Sequence, residues 1–335
     1  MPALSTQAAT IADIAKRTNP SGDGIAPIVE MLSQTNEILT DMVFMEGNLP
    51  TGHRVTIRTG LPRVYWRAIN QGVPPSKSTT AQVDETVGML EARSHVDQKL
   101  ADLNGNTASF RLSEDSAFLE AMNQQQAETM FYGNPGADPR QYLGLSPRYS
   151  DLVNSPNKIN ILDAGGQQTD NTSIWLVGWG DGSVFGTYPK GSQAGLHHED
   201  LGLDDVQDAL GGWYRAYKSL YQWDNGLVVK DWRYVVRIAN IDVSNLVGET
   251  TPANLMKLMA RAIDHLPSLG SVTPVFYMNR TVHSMMRIQA MTQTGNVLAI
   301  ESGLNQFGKS HSWTSFDGIP LRRTDALLNT EARVV

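Results

Sequence analysis

The quartet His197-His198-Glu199-Asp200 sets two imidazoles and two carboxylates in a row, the residue types that hold metal ions or move protons. Neighbours along a chain rarely converge on one ion. Zinc sites of hydrolases commonly set two histidines at i and i+4 on a helix so that both rings face one way, and no His-Glu-x-x-His string occurs here. The quartet therefore reads as exposed or structural. The other histidines, His53, His95, His265, His283 and His311, are scattered. Gly178-Trp179-Gly180-Asp181-Gly182 lacks the Lys-Ser/Thr ending of a phosphate loop and reads as a hairpin turn. Gly191-Ser192-Gln193-Ala194-Gly195 only loosely approaches a Gly-x-Ser-x-Gly elbow, and it follows a strand pair instead of preceding a helix. Asp204-Asp205 is expected at an acidic helix start, where it complements the macrodipole. With no cysteine in the chain, disulfides, thiolate nucleophiles, zinc ribbons and iron–sulfur ligation all drop out. The reading assigns no catalytic, cofactor-binding or metal-ligating residue and no cofactor.

The 335 residues, 41% hydrophobic, can bury one large core or two moderate ones. A formal net charge of −7 argues against a surface built to grip phosphates, which needs clustered Lys and Arg. Residues 1–19 lack a charged region followed by an apolar core, and no stretch approaches the roughly 18 apolar residues of a membrane span. The expectation is a chain made and kept in a soluble compartment, with no membrane partner.

The elements follow from spacing and punctuation. Residues 1–45 read as an arm, with helical spacing from Ile28 to Met42. Residues 46–103 read as a long hairpin. Its outgoing half carries Val55, Ile57, Val64, Tyr65 and Trp66 in strand-like runs, and it turns through Gln71-Gly72-Val73-Pro74-Pro75. A two-stranded excursion of this length is marginal alone and needs something to lie against. The outgoing arm holds Arg54, Arg58, Arg63 and Arg67, while the returning arm holds Asp84, Glu85 and Glu91. These seven are the candidate inter-subunit contacts, able to set register and specificity across a neighbour; cross-strand ion pairing inside a solvated hairpin explains them equally well.

A helix is expected over 113–132, opened by Ser113 with Glu114 and Asp115 and closed by Gly133-Asn134-Pro135. Its thin apolar stripe, Phe118, Ala121, Met122, Met130 and Phe131, implies light packing on a sheet. Beyond it, Ile174-Trp175-Leu176-Val177 and Val184-Phe185-Gly186-Thr187-Tyr188 are expected to form a hairpin, and 214–222 with 226–239 a second one, dense in aromatic residues. Thr251-Pro252 is expected to cap a helix through Ile263; a strand at 272–278, a helix at 279–291 and a closing strand at 316–321 complete an α+β block.

The strings WLVGWGDGSVFGTYPKGSQAGLHHEDLG and YQWDNGLVVKDWRYVVRIANID, with the closing FDGIPLRRTDAL, resemble the major capsid proteins of short-tailed bacteriophages. Nearly the whole chain shares in the likeness. It implies an α+β Hong Kong 97-like capsid fold (HK97-like). Its parts would be an N-terminal arm (1–45), an extended loop (46–103), a peripheral domain (104–165) with a spine helix at 113–132, a mainly axial domain (166–315) and a C-terminal strand returning to the core (316–335). It further implies hexamers and pentamers closing an icosahedral shell around double-stranded DNA, without sequence-specific binding. Separate scaffolding, portal and decoration proteins are implied as partners, with assembly in the host bacterial cytoplasm and residence in the virion. Nothing places a Lys and an acceptor for covalent cross-linking of loops. The rival readings are a tail or decoration component and a hydrolase using His197 or His198.

Overall fold

The computed structural model describes residues 34–102, 107–208, 210–292, 298–304 and 310–335. In chain order these form α1 (Ile38–Asp41), β1 (Phe44–Glu46), β2 (Gly52–Gly60), β3 (Thr79–Thr86), β4 (Gly88–Asp97), α2 (Gln98–Ala101), α3 (Thr107–Tyr132) and α4 (Leu145–Arg148). There follow β5 (Ile161–Asp163), β6 (Asn171–Trp179), β7 (Val184–Tyr188), β8 (His197–Gln207), β9 (Trp213–Val229), β10 (Val235–Asp242) and α5 (Val243–Gly248). The chain closes with α6 (Leu255–Asp264), β11 (Thr273–Met278), α7 (Arg280–Thr292), β12 (Leu298–Leu304), β13 (Ser310–Phe316) and β14 (Ile319–Arg323).

The chain divides into two compact units, and the larger holds Thr35–Met89, Ala127–Ala194 and Asp224–Val335. Its axis is β6, an uncharged run rich in β-branched and aromatic residues with every position buried, as a strand covered on both faces requires. Antiparallel β10 pairs along one side of it and antiparallel β11 along the other. Alternation then splits the core in two. Ile174 and Leu176 face a layer made by α6 and α7, through Leu255, Met259, Ile263, Val282 and Met286. Trp175, Val177 and Trp179 face the opposite layer, with Ile38 and Met42, Met130 and Phe131 of α3, and Leu145 of α4. The two helices behind the first face are capped by asparagines: Asn254 Oδ1 accepts from the Lys257 amide at 3.0 Å and Asn279 Oδ1 from the Val282 amide at 2.8 Å. Cap and helix start therefore fall later than the expected Thr251-Pro252.

One buried polar network in this unit ties the end of the chain to the sheet. Arg237 donates to Glu331 Oε2 at 2.9 Å and to the Tyr149 carbonyl at 2.8 Å, and Ser173 also donates to Glu331, so residues near the C-terminus are fastened to the central sheet. The segment after residue 34 is held likewise. β1 lies parallel to β7, and Asp41 accepts from Tyr277 Oη at 3.0 Å and from Arg322 Nε at 3.2 Å.

The smaller unit contains Leu90–Gln126 and Gly195–Trp223. Here β8 and β9 form a long antiparallel ribbon, in register from His197↔Gln222 to Gln207↔Trp213. A small core gathers Val96, Ala101 and Phe110, with Tyr217 half-buried against it.

Several expectations change. Of the helix expected over 28–42, residues 28–33 lie outside the described residues and only Ile38–Asp41 is helical. The long helix starts at Thr107, not Ser113: no breaker lies between 107 and 113, so Ser113 is carried inside the helix. The thin stripe also misleads, because Ala127, Met130 and Phe131 at the C-terminal end of α3 are buried in the main core while Leu112 and Ala121 are exposed. β6 and β7 are not a hairpin; they touch only at Trp179↔Val184, and β7 runs antiparallel to β9. Nor does β9 fold back on β10. The Asp224-Asn225-Gly226 turn signal is overridden because β9 has ladder partners along its length, β8 up to Gln222 and β7 from Gly226 onward. Gly226 serves close approach instead, since a Cβ there would lie 2.6 Å from the Thr86 carbonyl oxygen. Asp204-Asp205 lies in a strand, where Lys218 and Arg215 on β9 supply the counter-charge that a helix dipole was expected to provide.

Candidate assembly surface

β2 and β3 pair from Gly52↔Thr86 to Gly60↔Thr79 and form a two-stranded hairpin of the larger unit. Its base is anchored. Val55 packs with Phe185 and Val228, and the His53 ring meets Phe185 edge-on with centroids 5.4 Å apart. Glu85 points inward, only 5% exposed, and takes a bidentate pair from Arg148 at 2.6 and 2.7 Å. Arg148 also donates to the Leu143 carbonyl at 3.1 Å, so this buried guanidinium is satisfied on several sides. Strand alternation puts the adjacent Asp84 on the opposite face, where Arg54 grips it from solvent at 2.6 and 2.7 Å. That hydrogen bond holds the Asp84 carboxyl below the usual carboxylate range.

Beyond Gly60 the ladder stops. Residues 61–78 form an irregular tip, closed by Ser76 Oγ donating to the Arg63 carbonyl and Arg67 Nε to the Gln71 carbonyl, each at 2.8 Å. Val64, Tyr65 and Trp66, expected in a strand, are therefore in the tip, because Pro62, Pro74 and Pro75 cannot donate to a ladder there. The tip leaves its apolar side chains bare: Trp66 is 104% exposed, Ile69 93%, Val64 89% and Leu61 80%. Single exposed apolar residues need no explanation; here four fall within nine residues of the chain, all beyond the end of the ladder. Arg58 and Arg63 are exposed and have no ion-pair partner among the described residues.

The seven candidate contacts thus separate. Arg58, Arg63 and Arg67 belong to the outer hairpin and its tip; Arg54 and Asp84 pair with each other; Glu85 pairs with Arg148 at the hairpin base. Glu91 lies in the smaller unit, accepting from Gln222 Nε2 at 2.6 Å. Sequence reasoning missed the inward face of Glu85 and the bare tip; prolines bracketing an apolar, cationic run were the signal for the tip.

His197-His198-Glu199-Asp200 lies at the start of β8, all four residues exposed. Alternation sends neighbours to opposite faces. His198 stacks on Tyr221 with centroids 4.8 Å apart, and Asp200 takes a hydrogen bond from Arg111 at 2.7 Å. Among the described residues no group of three or more His, Asp or Glu side chains is placed to share a metal ion. No helix among them is long and apolar enough to cross a membrane.

A family model described as major capsid protein GP7 matches residues 19–335. Among solved structures, a chain of the near-atomic cryo-EM structure of bacteriophage Epsilon15 is 36% identical, with 100% of this chain and 99% of that one covered at a TM-score of 0.78. The capsid of bacteriophage JBD30 matches at 9% identity and a TM-score of 0.48, covering 89% of this chain and 92% of that one. The capsid of the native GTA particle matches at 9% and 0.45, covering 70% and 99%. The last two likenesses are too weak to bear on function. None of the curated proteins matches the chain.

Proposed function

From the premise that the chain belongs to the major capsid protein GP7 family, we propose that it builds its shell by laying the β2–β3 hairpin of each copy on a neighbouring copy in rings of six and five. The protein is a shell-forming capsid protein of a tailed phage, resident in the virion, with the α+β Hong Kong 97-like fold. The family is structural, and assembly with further copies of itself is its work.

The observation that carries the ring proposal is the contrast along the hairpin, anchored at its base by Val55 and Glu85 and bare at Leu61, Val64, Trp66 and Ile69. Fully burying a large apolar side chain is worth about 1.5–3 kcal/mol, so seating this tip on a neighbour yields a contact strong enough to matter once repeated around a closed ring. Repetition supplies shell strength without any single tight site. Closed hexamers and pentamers would form an icosahedral wall around double-stranded DNA, and the net charge of −7 fits a wall that does not grip its contents. Separate scaffolding, portal and decoration proteins, and assembly in the host cytoplasm, complete the proposal.

Negative-stain electron microscopy of the chain expressed alone and with a candidate scaffolding protein tests it. Closed shells or capsomer rings are expected; a discrete monomer or dimer under both conditions would overturn it.

A further inference from the structure

His53 stands on β2 at the hairpin base, cross-strand from Glu85. Its ring meets Phe185 of β7 edge-on, and its Nδ1 is buried with no hydrogen-bond partner. Lys230, just past the end of β9, sets its ammonium 4.9 Å from the centroid of the same Phe185 ring. One aromatic ring is thus shared by an imidazole and a fixed positive charge. The charged groups that act on the imidazole are already committed elsewhere: Lys230 pairs with Asp181 at 3.0 Å, and Glu85 takes its two hydrogen bonds from Arg148.

A neutral ring suits this place, since Nδ1 can remain a bare acceptor against the aromatic packing. A protonated ring does not. Both nitrogens then carry hydrogens, so Nδ1 becomes a buried, charged donor with no acceptor, in reach of the Lys230 ammonium. Burial first, and Lys230 next, push the imidazolium down from histidine's ordinary range, against opposing pulls from Asp181 and Glu85. A native histidine held below its unfolded value of about 6.5 gives stability that is present above that pH and lost as pH falls through the folded value.

We propose that His53 makes the hairpin base an acid-sensitive hinge: the neutral ring holds β2 and β3 against β7 and β9, and the protonated ring loosens them. Val55, two residues on, packs with Phe185 and Val228 on the same side of β2, so a shift of the His53 ring off Phe185 carries the remaining apolar anchor with it. The buried Glu85–Arg148 pair is not released by this step, because its carboxylate stays ionised in the range where histidine titrates. The hinge is a property of a single copy, so it stands apart from the ring reading and the two can fail separately.

Hydrogen exchange read by mass spectrometry on the full chain before assembly, at about pH 8 and about pH 5, brackets the range in which histidine changes charge. After correction for the intrinsic pH dependence of exchange, protection of the β2 and β3 amides should fall severalfold at the acid end, while the buried β6 amides keep theirs. His53→Phe, which keeps a ring edge-on to Phe185 without a titratable nitrogen, should hold its hairpin protection at both pH values. His53→Gln reads the same quantity with an uncharged polar side chain and covers the case of a phenyl variant that folds badly. Lys230→Met should move the His53 titration, followed by nitrogen-15 NMR, up toward the ordinary range. The hinge is overturned by unchanged hairpin protection in the wild type at the acid end, by an equal loss in wild type and His53 variants, or by a loss that β6 shares in full.

Discussion

Base and tip of the β2–β3 hairpin follow opposite rules although about 20 Å of strand, at about 3.3 Å per residue, is all that separates them. At the base, adjacent residues Asp84 and Glu85 divide the work: one faces solvent and Arg54, the other is buried against Arg148. At the tip no such division exists, and apolar and cationic side chains alike stand in solvent. The difference teaches that this hairpin is fixed where it joins its own core and leaves its side chains bare where it ends.

Removing the anchor should have the largest effect. Glu85→Ala strands the buried Arg148 guanidinium, and loss of one partner from a buried pair costs about 3–5 kcal/mol. Urea denaturation should show that loss, and Glu85→Met combined with Arg148→Met should recover most of it. If Glu85→Ala unfolds at the wild-type midpoint, the base is no anchor. Next comes Gly52, where an added Cβ would sit 1.9 Å from the Glu85 carbonyl oxygen, so Gly52→Ala must shift one strand against the other. Overpacking of this kind costs about 1–3 kcal/mol, read from the same denaturation curve. The smallest effect concerns the solvent face. Arg54→Gln should raise the Asp84 carboxyl toward its usual value, followed by carbon-13 titration of that carboxylate. A depressed carboxyl stabilises the fold above its unfolded pKa, and that contribution fades as pH falls through the folded value. Because both groups are exposed, the variant should unfold with a nearly unchanged midpoint.

What could be read from the sequence was local. Ile174-Trp175-Leu176-Val177 announced a strand and Gly133-Asn134-Pro135 the end of α3, whereas the single closing strand expected at 316–321 breaks at Asp317-Gly318, a two-residue turn whose φ values of 51° and 75° suit a tight hairpin. Gly133 is required there, since a Cβ would lie 2.5 Å from the Thr129 and Tyr142 carbonyl oxygens. Long-range choices were not legible. Nothing in β9 says that it will pair with β8 and then β7 in place of turning back on β10, because the backbone ladder is the same whichever strand supplies it. Likewise the charges of 54–91 were visible, but which face each occupied depended on Arg148, far along the chain. The capsid assignment came from the two aromatic-rich strings of 175–239, not from any constellation of reactive groups.

The central claim, that the bare tip exists for assembly and not for folding, is tested most directly by Leu61→Ser, Val64→Ser, Trp66→Ser and Ile69→Ser together, comparing denaturation with electron microscopy of the product. The account predicts an unfolding free energy within about 0.5 kcal/mol per site of wild type, as for exposed positions, and no closed shells. Closed shells at wild-type yield, or a chain that no longer folds, would contradict it.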